Sequence, residues 1–369
     1  MKTFILKILS ISLPFAIFTL PIAILLKSYG EAFVDFDSLI SKQDFKLIGQ
    51  KYSESNTLWF KSKLAEKKKA KVLALGSSRV LQFRAEMFSE SFFNYGYTTT
   101  KNYTLLPTLR LIPDESLPEV LILGLDQWNF NKIWDESSYP VHTNILPRIR
   151  NTPSPMDIFS FLIEVFENGL NLKNTEGLIG LNAIIYGNGF RQDGSRDYGD
   201  LVDKILEGDS TYNDYKFRNT LERIRLGNSR FEWGESIDKS QLNYVRDLIS
   251  YCNKKHIKLI LFLPPFAPKV WHEMERSNRY KYISNLSEEL SKMCVELDVL
   301  FLDFTSPLEI SYGDNEMVDG FHGGEKVYSK ILLRIAKEDR LVKNYINVKG
   351  LEKRVLIENE LSIFDDHAM

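Results

Sequence analysis

The chain has 369 residues and 47 basic against 49 acidic side chains, a formal net charge of −2. That balance excludes a nucleic-acid footprint built on net positive charge, while 44% hydrophobic and 26% charged residues is ordinary globular composition. The length points to one domain with a large insertion, or to two domains.

The first signal in chain order is Ile8 to Leu26, a run without a charged residue. As a helix it rises about 28 Å, close to the hydrocarbon thickness of a bilayer. A secretory signal has a shorter apolar core of about 7–15 residues. Residues 1–27 are therefore expected to form an uncleaved transmembrane anchor, although Ser28-Tyr29-Gly30 has the pattern of a cleavage site. Pro14 and Pro21 are tolerated inside such a span. Lys2 and Lys7 precede it and Lys27 follows it, a slight bias that places the N-terminus in the cytoplasm and the rest outside, periplasmic or extracellular. Residues 28–70 read as a polar helical connector, and its end, Lys67-Lys68-Lys69, as a solvated helix terminus.

Residues 71–340 read as one α/β domain with an insertion at about 132–235. Short apolar runs at Lys71–Leu75, Phe92–Tyr95, Val120–Leu123, Ile257–Leu263 and Val299–Phe304 are predicted strands. Helical periodicity marks Gln241–Lys254 and Ile283–Leu297. Continuous apolar strands alternating with helices predict a flavodoxin-like parallel sheet of about five strands, covered on both faces. After the first run, Gly76 breaks the strand and Ser77-Ser78-Arg79 opens a predicted helix through Phe88. Such a turn lies at the carboxyl edge of a sheet, where open α/β folds bind ligands. Unpaired N–H groups there favour developing negative charge. Two readings stand for the serines: a helix cap, or a nucleophile awaiting a base. Two also stand for Arg79: it holds an anionic substrate group, or it pairs with a neighbouring carboxylate.

In the insertion, Pro155–Leu170 is a predicted helix with Phe159, Leu162 and Phe166 on one side. Asp193-Gly194 signals a hairpin, either a wall for a sugar or a surface excursion. Cys252 and Cys294 have no metal-ligand spacing and read as buried free thiols, with a disulfide left open. After the last strand, Asp319 and His322 stand three apart on a Gly-rich loop leading into the helix Glu325–Ala336. A carboxylate orienting an imidazole is what nucleophilic catalysis requires of its base. His142, His256, His272 and His367 lack matched partners and read as structural or solvated, and 341–369 as a tail.

Gly76-Ser77-Ser78, Asn94-Tyr95-Gly96, Gly124-Leu125-Asp126 and Asp319-Gly320-Phe321-His322 follow successive predicted strands. Together they resemble the SGNH (GDSL-type) hydrolase superfamily, over most of residues 71–336 apart from the inserted block. The resemblance implies Ser78 as nucleophile, with Ser77 in the place of the family's Asp, and Asp319 and His322 as the rest of a triad. It implies an oxyanion hole of the Ser78 and Gly96 N–H groups. The family's third donor is an Asn amide, but here the position holds Asp126. An ionised carboxylate accepts hydrogen bonds, so that donor passes to Gln127 or Asn129 or is absent. Arg79 and Asp126 are the candidate substrate-contacting residues.

Gly76-Ser77-Ser78-Arg79, the apolar N-terminus and Leu263-Pro264-Pro265 are similar to those of membrane-anchored bacterial proteins that O-acylate exported polysaccharides, including alginate acetylation and teichoic-acid D-alanylation proteins. The expectation is a serine-dependent acyltransferase or esterase acting on ester groups, O-acetyl among them, of a cell-envelope or exported polysaccharide. Its partners would be a glycan, the membrane and a multi-pass acyltransferase that supplies acyl groups, with no cofactor, metal or nucleic acid. The alternative is a non-catalytic, membrane-tethered glycan-binding or assembly component that keeps the fold.

Overall fold

A computed structural model describes residues 10, 13, 17, 19–32, 34–42, 45–52, 57–134, 154–168, 175–357 and 361–364. The chain divides into two units. The first takes its residues from Met1–Thr57, Pro147–Gln192 and Arg196–Asp200, the second from Leu58–Leu146, Asp193–Ser195 and Leu201–Met369. This differs from the expected layout, because both the connector 28–70 and the insertion 132–235 are shared between the units. In the C-terminal tail Val348–Arg354 is helical, Leu361 and Ile363 are buried, and the Ile363 N–H donates to Glu325 Oε2 at 2.8 Å.

The second unit is built on a five-stranded parallel sheet flanked by helices. Its strands are β1 (Val72–Gly76), β2 (Phe92–Gly96), β3 (Val120–Gly124), β4 (Lys258–Leu263) and β5 (Leu300–Asp303). Their order, β2-β1-β3-β4-β5, is that of flavodoxin-like folds, whose ligands bind at the carboxyl edge beside the first strand. Every residue of β1, β2 and β3 is buried, as uninterrupted apolar runs require when both faces are covered. The covering helices include α1 (Thr57–Lys68), α2 (Lys239–Lys254), α3 (Lys281–Glu296) and α4 (Glu325–Glu338). Helices α2 and α3 bury Cys252 and Cys294 as free thiols, and burial pushes each thiol up to about 12.

The expected helix 77–88 does not form. Two short 3-10 turns, Ser78–Val80 and Ala85–Met87, stand there instead. The cause lies on β2, where Asn94 Nδ2 donates to the carbonyls of Val80 and Phe83 at 2.8 and 2.9 Å. Those carbonyls are then tied to β2 rather than to the next turn of an α-helix. Asn94 is held from the other side, since its backbone N–H donates to the Asp193 carbonyl at 2.6 Å. Lys61 of α1, fully buried, bonds the carbonyls of Gly96 and Gly194, each at 2.7 Å.

Three glycines make the floor under this turn. Gly76 and Gly96 are register partners at the ends of β1 and β2, and Gly124 ends β3. A Cβ on Gly76, Gly96 or Gly124 would come within 3.0, 2.5 or 2.6 Å of the Val80 side chain. Gly76 also has φ +149°, a conformation that L side chains rarely adopt. Val80 therefore sits directly on the strand ends and holds the preceding Ser78 at the sheet edge.

The first unit contains a small mixed sheet in which Leu47–Ile48 pairs with Leu178–Ile179 and with Gly189–Arg191, and the latter with Arg196–Asp197. Its helix Pro155–Asn168 packs Phe161, with Ile158 and Val165, against Ile22, Leu26 and Leu181. The side carrying Phe159, Leu162 and Phe166 is exposed. Much of the Ile8–Leu26 run lies outside the described residues. Among the described residues, no helix is long and apolar enough to cross a membrane.

The glycine floor has a measurable consequence. Gly124→Ala overpacks Val80 and is expected to cost about 1–3 kcal/mol in urea unfolding. Val80→Ala in the same chain should recover part of that loss. Strictly additive effects would show that the two positions do not compete for space.

Candidate active site

The two ends of the sheet's chain path meet at its carboxyl edge. Ser78 starts the turn after β1, and His322 lies on the loop before α4, 244 residues later. Ser78 Oγ is 2.8 Å from His322 Nε2, and His322 Nδ1 is 2.7 Å from Asp319 Oδ2. Asp319 Oδ1 accepts the backbone N–H groups of Phe321 and His322 at 2.9 and 2.8 Å. The carboxylate thus closes its own loop while presenting the other oxygen to the ring. Burial pushes the Asp319 carboxyl up, but the His322 ring and these hydrogen bonds outweigh it and hold the group below the usual carboxylate range.

The neighbouring serine has the other role left open by the sequence. Ser77 caps the turn, its Oγ accepting the Arg79 N–H at 3.2 Å. Ser78 carries the contact with His322.

Further contacts fix the histidine loop. The Val318 N–H donates to the His322 carbonyl at 2.8 Å, and Met317 bridges to Gly323 across the loop. The Gly320 N–H donates to Asp214 Oδ2 at 3.0 Å, and the same oxygen accepts Thr220 Oγ1 at 2.7 Å. Asp214 lies in the inserted block with no motif around it, so no sequence signal pointed to it. The Phe321 and His322 rings have centroids 4.4 Å apart, and the Trp128 ring meets Phe321 edge-on.

Arg79 is not placed to hold a substrate group, because its side chain is fully buried and each of its nitrogens is engaged inside the protein. Nε donates to the Phe321 carbonyl at 3.0 Å, and Nη2 to the carbonyls of Pro264 and Pro265 at 2.8 and 2.7 Å. Nη1 donates to Gln127 Oε1 at 2.5 Å and lies 3.7 Å from Asp126 Oδ1. The guanidinium also lies over the Trp128 and Phe266 rings, 5.1 and 4.6 Å from their centroids.

The expected oxyanion donors are likewise engaged. The Gly96 N–H donates to Asn94 Oδ1 at 2.9 Å. Gln127 is buried, and its Nε2 donates to the Pro264 carbonyl at 2.8 Å and to Thr305 Oγ1 at 2.9 Å. Both hydrogens of that amide are therefore taken. Asn129 Nδ2 donates to the Thr100 carbonyl at 3.0 Å. The Ser78 N–H is different: no acceptor takes it among the described residues.

Asp126 is buried beside Ser77, and its Oδ1 has no hydrogen-bond partner among the described residues. Burial pushes its carboxyl above the usual range, and Arg79 and the Ser77 hydroxyl only partly offset this. With Asn129, Ser77 and Gly76 it lines a cavity of about 10 Å³, the room of one water molecule. A second cavity, of about 210 Å³, borders Asp319 and is lined by Tyr212, Asn213, Asn219, Thr220 and Arg223. There Arg223 Nε donates to Asn219 Oδ1 at 2.8 Å, and Asn219 Nδ2 to Asn213 Oδ1 at 3.0 Å. Among the described residues, no group of three or more His, Cys, Asp or Glu side chains is arranged to hold a metal ion.

No protein-family model matches the chain, and no curated protein matches it.

The site's geometry rests on a charge that cannot reach water. Arg79→Lys keeps the charge but loses the planar fork, and each charged hydrogen bond it fails to remake is expected to cost about 1.5–3 kcal/mol. Denaturant unfolding checks this, and an unchanged midpoint would show that the carbonyl contacts are not structural.

Proposed function

We propose that the protein is a serine-dependent acyltransferase or esterase related to the SGNH hydrolases. The observation that carries this reading is the unbroken relay from Ser78 Oγ through His322 to Asp319. In this mechanism Ser78 Oγ attacks an ester carbonyl while His322 Nε2 takes the hydroxyl proton. Asp319 keeps Nδ1 protonated and stabilises the imidazolium that forms. The oxyanion develops at the start of the Ser78–Val80 turn, where the Ser78 N–H is open. Collapse breaks the ester C–O bond, His322 returns the proton to the leaving alkoxide, and the acyl group stays on Ser78. A sugar hydroxyl or water, deprotonated by His322, then attacks the acyl carbonyl and frees the serine.

A glycan acceptor is what the resemblance implies, and near the relay lies the cavity beside Asp319, which neither Ser78 nor His322 lines. Its chained amide and guanidinium groups and the Tyr212 ring offer donors, acceptors and a flat apolar face to a hydroxyl-rich ring. With Gly96 and Gln127 engaged elsewhere, the hole is short of donors, and each missing donor typically costs about 10²–10³ in rate. That shortage favours the second reading, a non-catalytic glycan-binding component that retains the relay.

Covalent labelling with a fluorophosphonate separates the two. The enzyme reading expects labelling of the native chain, none in Ser78→Ala, and reduced labelling in Ser77→Ala, which loses a cap. A folded native chain that takes no label leaves the binding reading. Native hydrolysis of an acetylated glycan should fall by about 10⁴-fold or more in Ser78→Ala.

The uncharged run Ile8–Leu26 supports an anchor in the cell membrane with the remainder extracytoplasmic. Protease added to intact spheroplasts should digest everything beyond the anchor. Full protection would overturn that orientation.

A further inference from the structure

The helix Pro155–Asn168 turns Asp157 and Glu164 away from a broad apolar side, with the exposed Glu167 at that side's edge. Glu164 is the inward charge, bonded by Lys51, by Tyr186 Oη at 2.7 Å and by Tyr52 Oη at 3.3 Å. Asp157 accepts the Ser154 N–H at 2.6 Å at the helix start. Outward stand Met156, Phe159, Leu162, Ile163 and Phe166, with Phe166 92% and Met156 70% exposed. Spacings of three and four residues put these five on one side of the helix, opposite Phe161 and Val165. An exposed apolar face of this breadth marks a surface that something else covers.

What covers this face follows from its neighbour. The inward side packs on Ile22 and Leu26, the carboxyl end of the uncharged run Ile8–Leu26. Leu13, Ile17, Leu20 and Ile24 of that run are exposed too, spaced four, three and four residues apart along one stripe. Lys27, exposed, follows at once. A helix resting on the last turn of a bilayer-length apolar run, level with the first cation after it, lies at the depth of the lipid headgroups. Its 14 residues span about 21 Å, too short to cross a bilayer and long enough to lie in its surface.

We propose that the Met156, Phe159, Leu162, Ile163 and Phe166 face of this helix is immersed in the outer leaflet, as an interfacial second contact beside the N-terminal anchor. The inference rests on the anchor reading given above. Two contacts fix how the first unit is held to the membrane, where one helix alone would leave it free to swivel.

The test uses the full chain in phosphatidylcholine and phosphatidylglycerol vesicles, with an environment-sensitive dye on Phe166→Cys or, as reference, on Lys292→Cys. Cys252 and Cys294 are buried, so neither competes for the label. The Lys292 side chain is 60% exposed and far from the apolar run in sequence. Expected are a blue shift and loss of most emission at position 166 when the lipids carry brominated acyl chains, with no change at position 292. If the protein floats with the vesicles but aqueous iodide quenches both positions equally, the interfacial helix is overturned and the anchor stands. Failure to float overturns the anchor and this inference with it. Ready disulfide formation between two Phe166→Cys chains, without lipid quenching, would assign the face to a second copy and also overturn it.

Discussion

A guanidinium without access to water holds the carboxyl edge of the central sheet together. Arg79 follows β1, and its donors reach Gln127 after β3, Pro264 and Pro265 after β4, and Phe321 on the histidine loop. An unpaired cation there would cost several kcal/mol, so the loops must stay where their carbonyls meet it. None of them can shift alone without leaving a buried donor open. The constraint also runs backwards through the chain, since the Tyr328 hydroxyl of α4 donates to the Arg79 carbonyl. The Ser78 turn and the helix after His322 are thereby fastened to one residue. Ser78 and His322 keep a 2.8 Å contact across 244 residues of chain because the residue after Ser78 binds the carbonyl before His322.

Two buried carboxylates at this edge end on opposite sides of the ordinary range. Burial pushes Asp126 and Asp319 upward alike. Asp319 has the imidazole and two backbone N–H groups against its oxygens, and ends below the ordinary range. Asp126 has Arg79 at 3.7 Å and the Ser77 hydroxyl, and ends above it. The difference lies in the partners each oxygen meets, since burial acts on both alike.

Packing supplies what electrostatics does not. Val80 rests on Gly76, Gly96 and Gly124, and Asn94 draws in the carbonyls of Val80 and Phe83. These contacts replace a long first helix with a tight turn, which presents Ser78 at the sheet edge and leaves its N–H open. Gly96 and Asn94 then serve the turn, so the glycine that resemblance offered as an oxyanion donor works here as floor and hydrogen-bond partner.

The five strands were legible in the sequence because each is an apolar run closed by a polar or glycine break, and burial on both faces demands that pattern. Local residues, Gly76 and the Gly-rich loop around His322 among them, marked where a strand end and a loop start would bring serine, histidine and aspartate together, and the resemblance chose Ser78 between the two serines. Local pattern also pointed to α2, α3 and α4, whose apolar faces repeat at the helical period. The destination of side-chain hydrogens was not legible. Arg79 reads equally as a ligand-binding cation or a buried tie, and only the positions of Pro264, Pro265 and Phe321, far apart in sequence, choose between them. The same holds for the Gly96 N–H, for the Gln127 amide and for Asp214, each decided by a partner that periodicity cannot announce. Periodicity also shows that the helix Pro155–Asn168 has an apolar side, but not that Phe161 faces inward and Phe166 outward. Covalent spacing sets which residues share an element and a face, whereas the partner of each buried polar group is set by long-range packing, which exists only once the chain has folded.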